Sequence, residues 1–456
     1  MAIKRLLLLV ALSLLPWSGA VSAQGAQRDF AMPDILGLRE QAAVRDAWLE
    51  RRLATVLPAL MRKHDIDLWL IIGREYMEDP VLSTMLPSVW LSARRRTVLM
   101  ISARDDGSVE TLSVARYPAG NAFPSAWDPE QQPDQWARIA ELVAERDPRR
   151  VAINTSTHWA LADGLTASEE RALLAALPPT YRDRLVSGEK LALGWLETRI
   201  PEEMAVYPTL QRIANAIIAE GLSEKVITPG VTGTDDVVWW YRERIRELGL
   251  ETWFHPSVQV QRADDGAQDE KTMFGSGSLK PEYVILPGDL IHVDFGIRYL
   301  GLTTDTQNHA YVLRPGETDA PAGLRAGHAA VGRVADLIVE NFRAGEPAND
   351  LLMRVYAQAQ KEGHKANIYT HGVGFHGHGA GPWVGAWDLD GPIPVVGDYP
   401  TNAHTFWAIE LNVEQAVPEW GGKVVRFMLE DGAYFDGEKA WFVDQRPQQM
   451  HLIPRR

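Results

Sequence analysis

The chain has 456 residues, 46% of them apolar and none of them cysteine, with a formal charge of -14 at pH 7. That length and apolar content suit two packed domains and exclude a disordered or fibrous protein. Lack of cysteine excludes disulfides and thiolate chemistry, so any metal site must use nitrogen and oxygen ligands. The acidic charge speaks against nucleic acid or an anionic membrane as partner.

Residues 1–23, "MAIKRLLLLVALSLLPWSGAVSA", run from basic Lys4 and Arg5 through an apolar core to the small-residue site Val21-Ser22-Ala23. This is the pattern of a secretory signal peptide, with Gln24 opening the mature chain and a periplasmic or secreted location. The apolar run is about half the length of a spanning helix, and no other segment is long and apolar enough to span a bilayer. Cleavage takes away Lys4 and Arg5 and no acid, so the mature chain is more acidic still.

After the leader, "EQAAVRDAWLERRLATVLPALMRKH" spaces its apolar residues as a helix does, and "DLWLIIG" follows as a buried strand. "RTVLMISA" and "VETLSVARY" flank Asp105-Asp106-Gly107, a hairpin signal. "RRVAIN" predicts another strand and "ASEERALLAAL" a helix. Together these predict an α/β domain over residues 24–195 whose side chains suggest no chemistry. Pro201 then opens a helix expected over Glu202 to Leu222, with acids in its first turn.

A second domain, residues 196–456, continues with the turn "TPGVTGTDD", a helix from Val237 to Leu248, and a strand around "FHPSVQV". "DLIHVDFGIRYLGLTTDTQNHAYVL" predicts a hairpin, followed by a helix from about Ala322 to Ala344 and another before residue 370. The strands "TFWAIELNVEQAV", "KVVRFMLEDGAYF" and "KAWFVDQ" close the chain. No motif-level repeat or low-complexity segment is present.

Carboxylates carry the chemistry. With the turn of the hairpin centred on Tyr299-Leu300, Asp294 sits directly opposite Asp305, with Cβ atoms about 5 Å apart. Like charges so placed repel and raise one another's pKa unless a cation lies between them; two solvated strand aspartates are the alternative. Glu410 and Glu430 stand in the apolar frames "FWAIEL" and "FMLED", joined through Trp420-Gly421-Gly422. Acids in such frames are paired or liganded when buried, although Glu414 shares the face of Glu410 and Asp431 adjoins Glu430, so each assignment stays open. "THGVGFHGHGAGPW", Thr370 to Trp383, adds His371, His376 and His378. Four carboxylates and one imidazole suit two divalent cations, with hard ligands favouring manganese and admitting cobalt or zinc. The glycines follow no phosphate-binding pattern.

The ordered series "GDLIHVDFG", Asp305, a His-Gly-Val-Gly stretch, Glu410 and Glu430 resembles the pita-bread metallopeptidases, which include aminopeptidase P, prolidase and methionine aminopeptidase. The motifs cover about residues 195 to 456, and the N-terminal half resembles by layout the creatinase-type domain of the aminopeptidase P and prolidase branch. The resemblance implies a pita-bread catalytic domain and a ligand set of Asp294, Asp305, His371, Glu410 and Glu430. It implies Glu410 as general base and His378 as a non-ligand partner of the substrate carbonyl. A competing register makes His376 the ligand. The implied activity is removal of N-terminal residues from peptides, with proline in second place, by a protein that can dimerise. A metal-independent creatinase-like hydrolase and a silent peptide-binding protein are the other readings.

Several positions depart from the family. Asn367 stands where a histidine usually precedes the ligand by four, Gly277 where a substrate-side histidine is expected, "ELN" replaces Glu-Pro-Gly after Glu410, and Met428 replaces an arginine, with Arg426 nearby. His292 and His309 share strand faces with the aspartates and read as structural or substrate-side. Trp383 and Trp387 read as core or pocket aromatics.

Overall fold

The structure is a computed structural model that describes residues 31–264, 283–389 and 391–455. The leader and Gly277 lie outside the described residues. Two mixed α/β layers account for most of the chain. In the first, β1 (Leu68–Arg74) lies central to a five-stranded sheet between antiparallel β2 (Arg96–Ala103) and parallel β4 (Val151–Ile153). β3 (Val109–Ala115) and β5 (Leu185–Ser187) form the edges. All but the last residue of β1 are buried, as a strand covered on both faces requires. The helix Leu38–Lys63 covers one side with Leu49, Leu53, Leu57 and Leu60, apolar positions three and four apart.

The second sheet has its main strands in the order β11 (Lys365–Ile368), β13 (Thr405–Val417), β14 (Lys423–Phe435), β10 (Thr306–Val312), β7 (Leu290–Phe295) and β6 (Ser257–Gln261), with β12 (His371–Gly372), β15 (Ala440–Phe442) and β16 (His451–Ile453) added at its margins. Its long pair is β13 (Thr405–Val417) and β14 (Lys423–Phe435), joined through Gly421 and Gly422, both at positive φ. β7 (Leu290–Phe295) and β10 (Thr306–Val312) form the hairpin beside it, flanked by β6 (Ser257–Gln261). Period two divides each strand. Ile409, Leu411, Val413, Phe427 and Leu429 pack in one core with residues of the helices Ala322–Glu340 and Ala348–Lys361. Ile291, Val293 and Phe295 pack with residues of the helices Tyr207–Gly221 and Thr234–Glu247. Helices thus back both halves of the sheet, leaving the alternate residues for the opposite face. Among the described residues no helix is long and apolar enough to cross a membrane.

Two expectations are corrected. The helix expected over residues 202–222 is two, Pro201–Met204 and Tyr207–Gly221, because Pro208 has no N–H to continue the ladder and its ring crowds the preceding turn. The hairpin turns on Leu300-Gly301, with φ of 55° and 79°, so Tyr299 pairs with Leu302 and Asp294 faces Gln307 rather than Asp305. Glycine at the second position of such a mirror-image turn sets that centre. A two-residue offset preserves facing, so both aspartates still share one side of the sheet.

The passage between the layers is braced by buried charge. Arg52, on the long first helix, and Arg199 both contact Glu203, at 3.1 and 3.4 Å, and all three side chains are at most 1% exposed. The two guanidiniums also lie over the Phe375 ring, 4.9 and 4.6 Å from its centroid. Glu203→Gln leaves two buried cations without a counter-charge, which costs about 3–5 kcal/mol. A urea melt is expected to show a clearly lowered midpoint; an unchanged midpoint contradicts the brace.

Candidate metal centre

Strand register builds the site. Glu410 pairs with Glu430 across β13 and β14, Glu430 with Gln307 across β14 and β10, and Gln307 with Asp294 across β10 and β7. Direct cross-strand partners face the same way, so this row puts three carboxylates and an amide side by side. Asp305, two residues before Gln307, joins them. His371 enters from β12 (His371–Gly372), paired with Ala408, two residues before Glu410.

The donor atoms fall into overlapping groups, each within 4.8 Å: Asp294, Asp305 and Glu430; His371, Glu410 and Glu430; Asp305, His371 and His378. Glu430 belongs to the first two, the placing of a carboxylate that bridges two cations. His371 Nδ1 donates to the Gly372 carbonyl at 3.0 Å, which turns the lone pair of Nε2 toward Glu430, Glu410 and Asp305 at 3.5, 3.6 and 3.8 Å. That Nε2, Asp305 Oδ1 and Glu430 Oε1 are buried without a hydrogen-bond partner. Buried acceptors facing one point fit a hard divalent cation.

Electrostatics agree. Burial, then the charges of Asp294 and Glu410, holds Asp305 well above the ordinary carboxylate range. Burial and Asp294 do the same to Glu410, and burial with Asp305 and Glu410 does so to Glu430. Burial pushes the His371 imidazole down to about 3, so it is neutral, as a ligand must be.

The histidine segment is shaped by close backbone approach. Gly379 N–H donates to the Gly372 carbonyl at 2.7 Å, and a Cβ at Gly379 would meet that oxygen at the same distance. A Cβ at Gly377 would lie 2.1 Å from the Trp253 ring. This fold-back sets His378 edge-on to His371, with ring centroids 4.9 Å apart, and exposes it at the mouth of the site beside Trp253. His378 therefore lies nearer the ligands than a purely outer partner. His376 belongs to none of the donor groups; it faces away near Arg298 and Arg199, and burial pushes it down to about 4.

The remaining candidates are resolved by their contacts. Glu414 is held by Lys365 and Arg426, at 2.6 and 3.0 Å, which occupies both the rival acid and the substitute arginine. Asp431 points to the other side of β14, where burial raises it to about 7 and the Gly432 N–H donates to it. His292 Nε2 contacts Gln307 Oε1 at 3.0 Å, and His309 is buried behind it. Asn367 lies beside Asn412, and Trp383 and Trp387 are exposed rather than core aromatics. Sequence reasoning missed Gln307, whose Nε2 donates to Glu410 Oε1 at 2.5 Å and to Glu430 Oε2 at 3.3 Å. Its period-two spacing from Asp305 was the available signal. Trp253, whose Nε1 donates to the Thr304 carbonyl, carried none.

Fold and site together define a two-domain hydrolase of the pita-bread type. Residues 209–427 match the model of metallopeptidase family M24. Among solved structures, an X-Pro aminopeptidase from Thermotoga maritima aligns with a TM-score of 0.61 at 16% identity, covering 86% of this chain and 99% of its own. A Xaa-Pro dipeptidase from Bacillus anthracis gives 0.56 at 15% identity, over 91% of this chain and 100% of its own. A prolidase from Pyrococcus horikoshii gives 0.55 at 14% identity, over 90% and 99%. No curated protein matches the chain by sequence.

The raised carboxylates fix a pH dependence. Without a cation they keep protons that the unfolded chain sheds, so the metal-free fold loses stability as pH rises through the ordinary carboxylate range. Cations replace those protons. The gap in Tm between metal-loaded and chelator-treated protein is expected to widen from about pH 5 to about pH 8; a gap that ignores pH contradicts the assignment.

Proposed function

We propose that the chain is an exopeptidase that depends on two divalent metal ions and cleaves peptides with proline in second place, as a Xaa-Pro aminopeptidase or Xaa-Pro dipeptidase. The observation that carries the metal count is Glu430, shared between an aspartate group and a histidine-glutamate group. The peptide class rests on the family M24 match, and the proline preference on the names of the solved structures that share the fold. Asp294, Asp305, His371, Glu410 and Glu430 would hold the ions, manganese by the hardness of the oxygen set, with cobalt or zinc the alternatives. The leader reading adds a periplasmic or secreted location.

When bound, such a metal pair supplies an acidified water and a Lewis acid for the scissile carbonyl. The chain's own groups do the rest. Glu410 is the base: Gln307 and the apolar frame of β13 fix its carboxylate where it can take a proton and pass it to the leaving amine. His378, at the mouth and beside His371, is placed to donate a hydrogen bond to the carbonyl oxygen as negative charge develops there. Trp253 covers one edge of His378 and keeps that imidazole turned inward.

The test is hydrolysis of a proline-containing dipeptide and tripeptide alongside metal content. Chelation is expected to abolish cleavage and manganese to restore it. Glu410→Gln should lower kcat by about a hundredfold or more, and His378→Ala by about tenfold to a thousandfold. His371→Ala should lose bound metal, while His376→Ala keeps it. Cleavage that survives chelation, or peptide binding without turnover after manganese is supplied, overturns the reading.

A further inference from the structure

An open groove of about 410 Å³ is lined by Arg52 and Glu203 of the brace together with Phe375 and His376, and a second, larger groove of about 700 Å³ lies along the first helix. The larger one runs between the helix Leu38–Lys63, the helix Glu189–Glu197 and the segment 399–404. Its floor is apolar: Val56, Leu60, Leu193 and Ile200, all at most 9% exposed, with Pro201 and Pro400 at the sides. One end is cationic. Lys63, His64 and Lys190 line it, and among the described residues neither lysine makes an ion pair or a side-chain hydrogen bond. Burial and the charges of both lysines depress the His64 pKa, which places all three groups within electrostatic reach of one another.

Uncompensated positive groups are notable in a chain of formal charge -14, whose arginines are mostly tied to carboxylates. The one acid in the lining, Glu197, is raised to about 7 by burial and accepts a hydrogen bond from Asn402. Burial works against its charge, and of the two lysines only Lys63 acts on it. A long apolar trough closed by two ammonium groups and an imidazole is the complement of a molecule with an apolar tail and a single anionic head. The volume lies within the range of small-ligand sites. Glu197 beside the lysines favours a singly charged head over a doubly charged phosphate.

We propose that this groove binds a free long-chain carboxylate, with its tail along Val56, Leu60, Leu193 and Ile200 and its head between Lys63 and Lys190. Lys63 and Lys190 supply the charge, and His64 adds a hydrogen-bond donor at the same end. The site shares no residue with the metal centre, so it is independent of the peptidase reading.

Calorimetric titration of the full chain, both metal-loaded and chelated, with decanoate, decanol and acetate tests this. Decanoate is expected to bind with one site per chain and equal affinity in both metal states, with decanol much weaker and acetate not at all. The double variant Lys63→Gln/Lys190→Gln, both exposed residues, should weaken decanoate about fivefold to tenfold. Ala59→Trp, which fills the trough from an exposed helix position, should weaken it at least about tenfold. Circular dichroism melts of both variants verify that they fold. No saturable decanoate binding, equal binding of decanol and decanoate, or affinity untouched by both variants overturns the proposal, as does binding that vanishes on chelation. Activity plays no part in this readout, so failure of the peptidase reading leaves it intact.

Discussion

Mutual repulsion among carboxylates buried on one sheet face is the constraint that the rest of the structure answers. Asp305, Glu410 and Glu430 are withdrawn from water and aimed at one another and at Asp294, and each is held well above its ordinary pKa by burial and by its neighbours. Among the described residues the nearby positive groups do not offset these charges: Arg426 is drawn off by Glu414, and His371 is neutral. Protons or metal ions balance such a set, and a rigid sheet is what keeps the oxygens from turning back to solvent.

The scaffold provides that rigidity through two kinds of contact. Helices pack on the outward residues of β7, β10, β13 and β14, so the strands cannot rotate their acids outward without exposing Leu411, Phe427 or Val293. The histidine segment, which lacks regular structure after β12, is held instead from its flanks. Thr303 of the hairpin donates both its N–H and its hydroxyl to the Gly374 carbonyl, and Phe375 is gripped between Arg52 and Arg199. The first domain, whose own side chains suggest no reaction, thus reaches the metal centre through Arg52, on its longest helix.

Much of this was legible in the residues. Alternation of apolar and polar positions revealed the strands of the second sheet, pairing across the hairpin pointed to Asp294 and Asp305, and acids standing inside apolar frames pointed to Glu410 and Glu430. Side-chain periodicity also explains why a wrong hairpin centre did little harm: an offset of two residues moved Asp305 from a direct to a diagonal neighbour of Asp294 without turning it over. The turn was misplaced because Leu300 adopts a left-handed conformation that a leucine rarely takes, which local preference does not predict. Gln307 and Trp253 escaped notice because their roles come from contacts far apart in the chain, with Glu410 and His378. Glycines at 377 and 379 matched no ligand-binding pattern in the sequence, and their reason is steric: the backbone folds against itself and against an indole. The choice between Glu410 and Glu414, or Glu430 and Asp431, needed the salt bridges and burial that only the folded chain displays.

The central proposal is that one carboxylate row would hold two cations, with Glu430 common to both donor groups. Electron paramagnetic resonance of the protein titrated with manganese tests it most directly. The account predicts uptake of two ions per chain, with the second ion converting an isolated-ion spectrum into that of an exchange-coupled pair, and with Glu430→Gln abolishing the coupling. Saturation at a single ion with an isolated-ion spectrum, or no bound manganese at all, would contradict it.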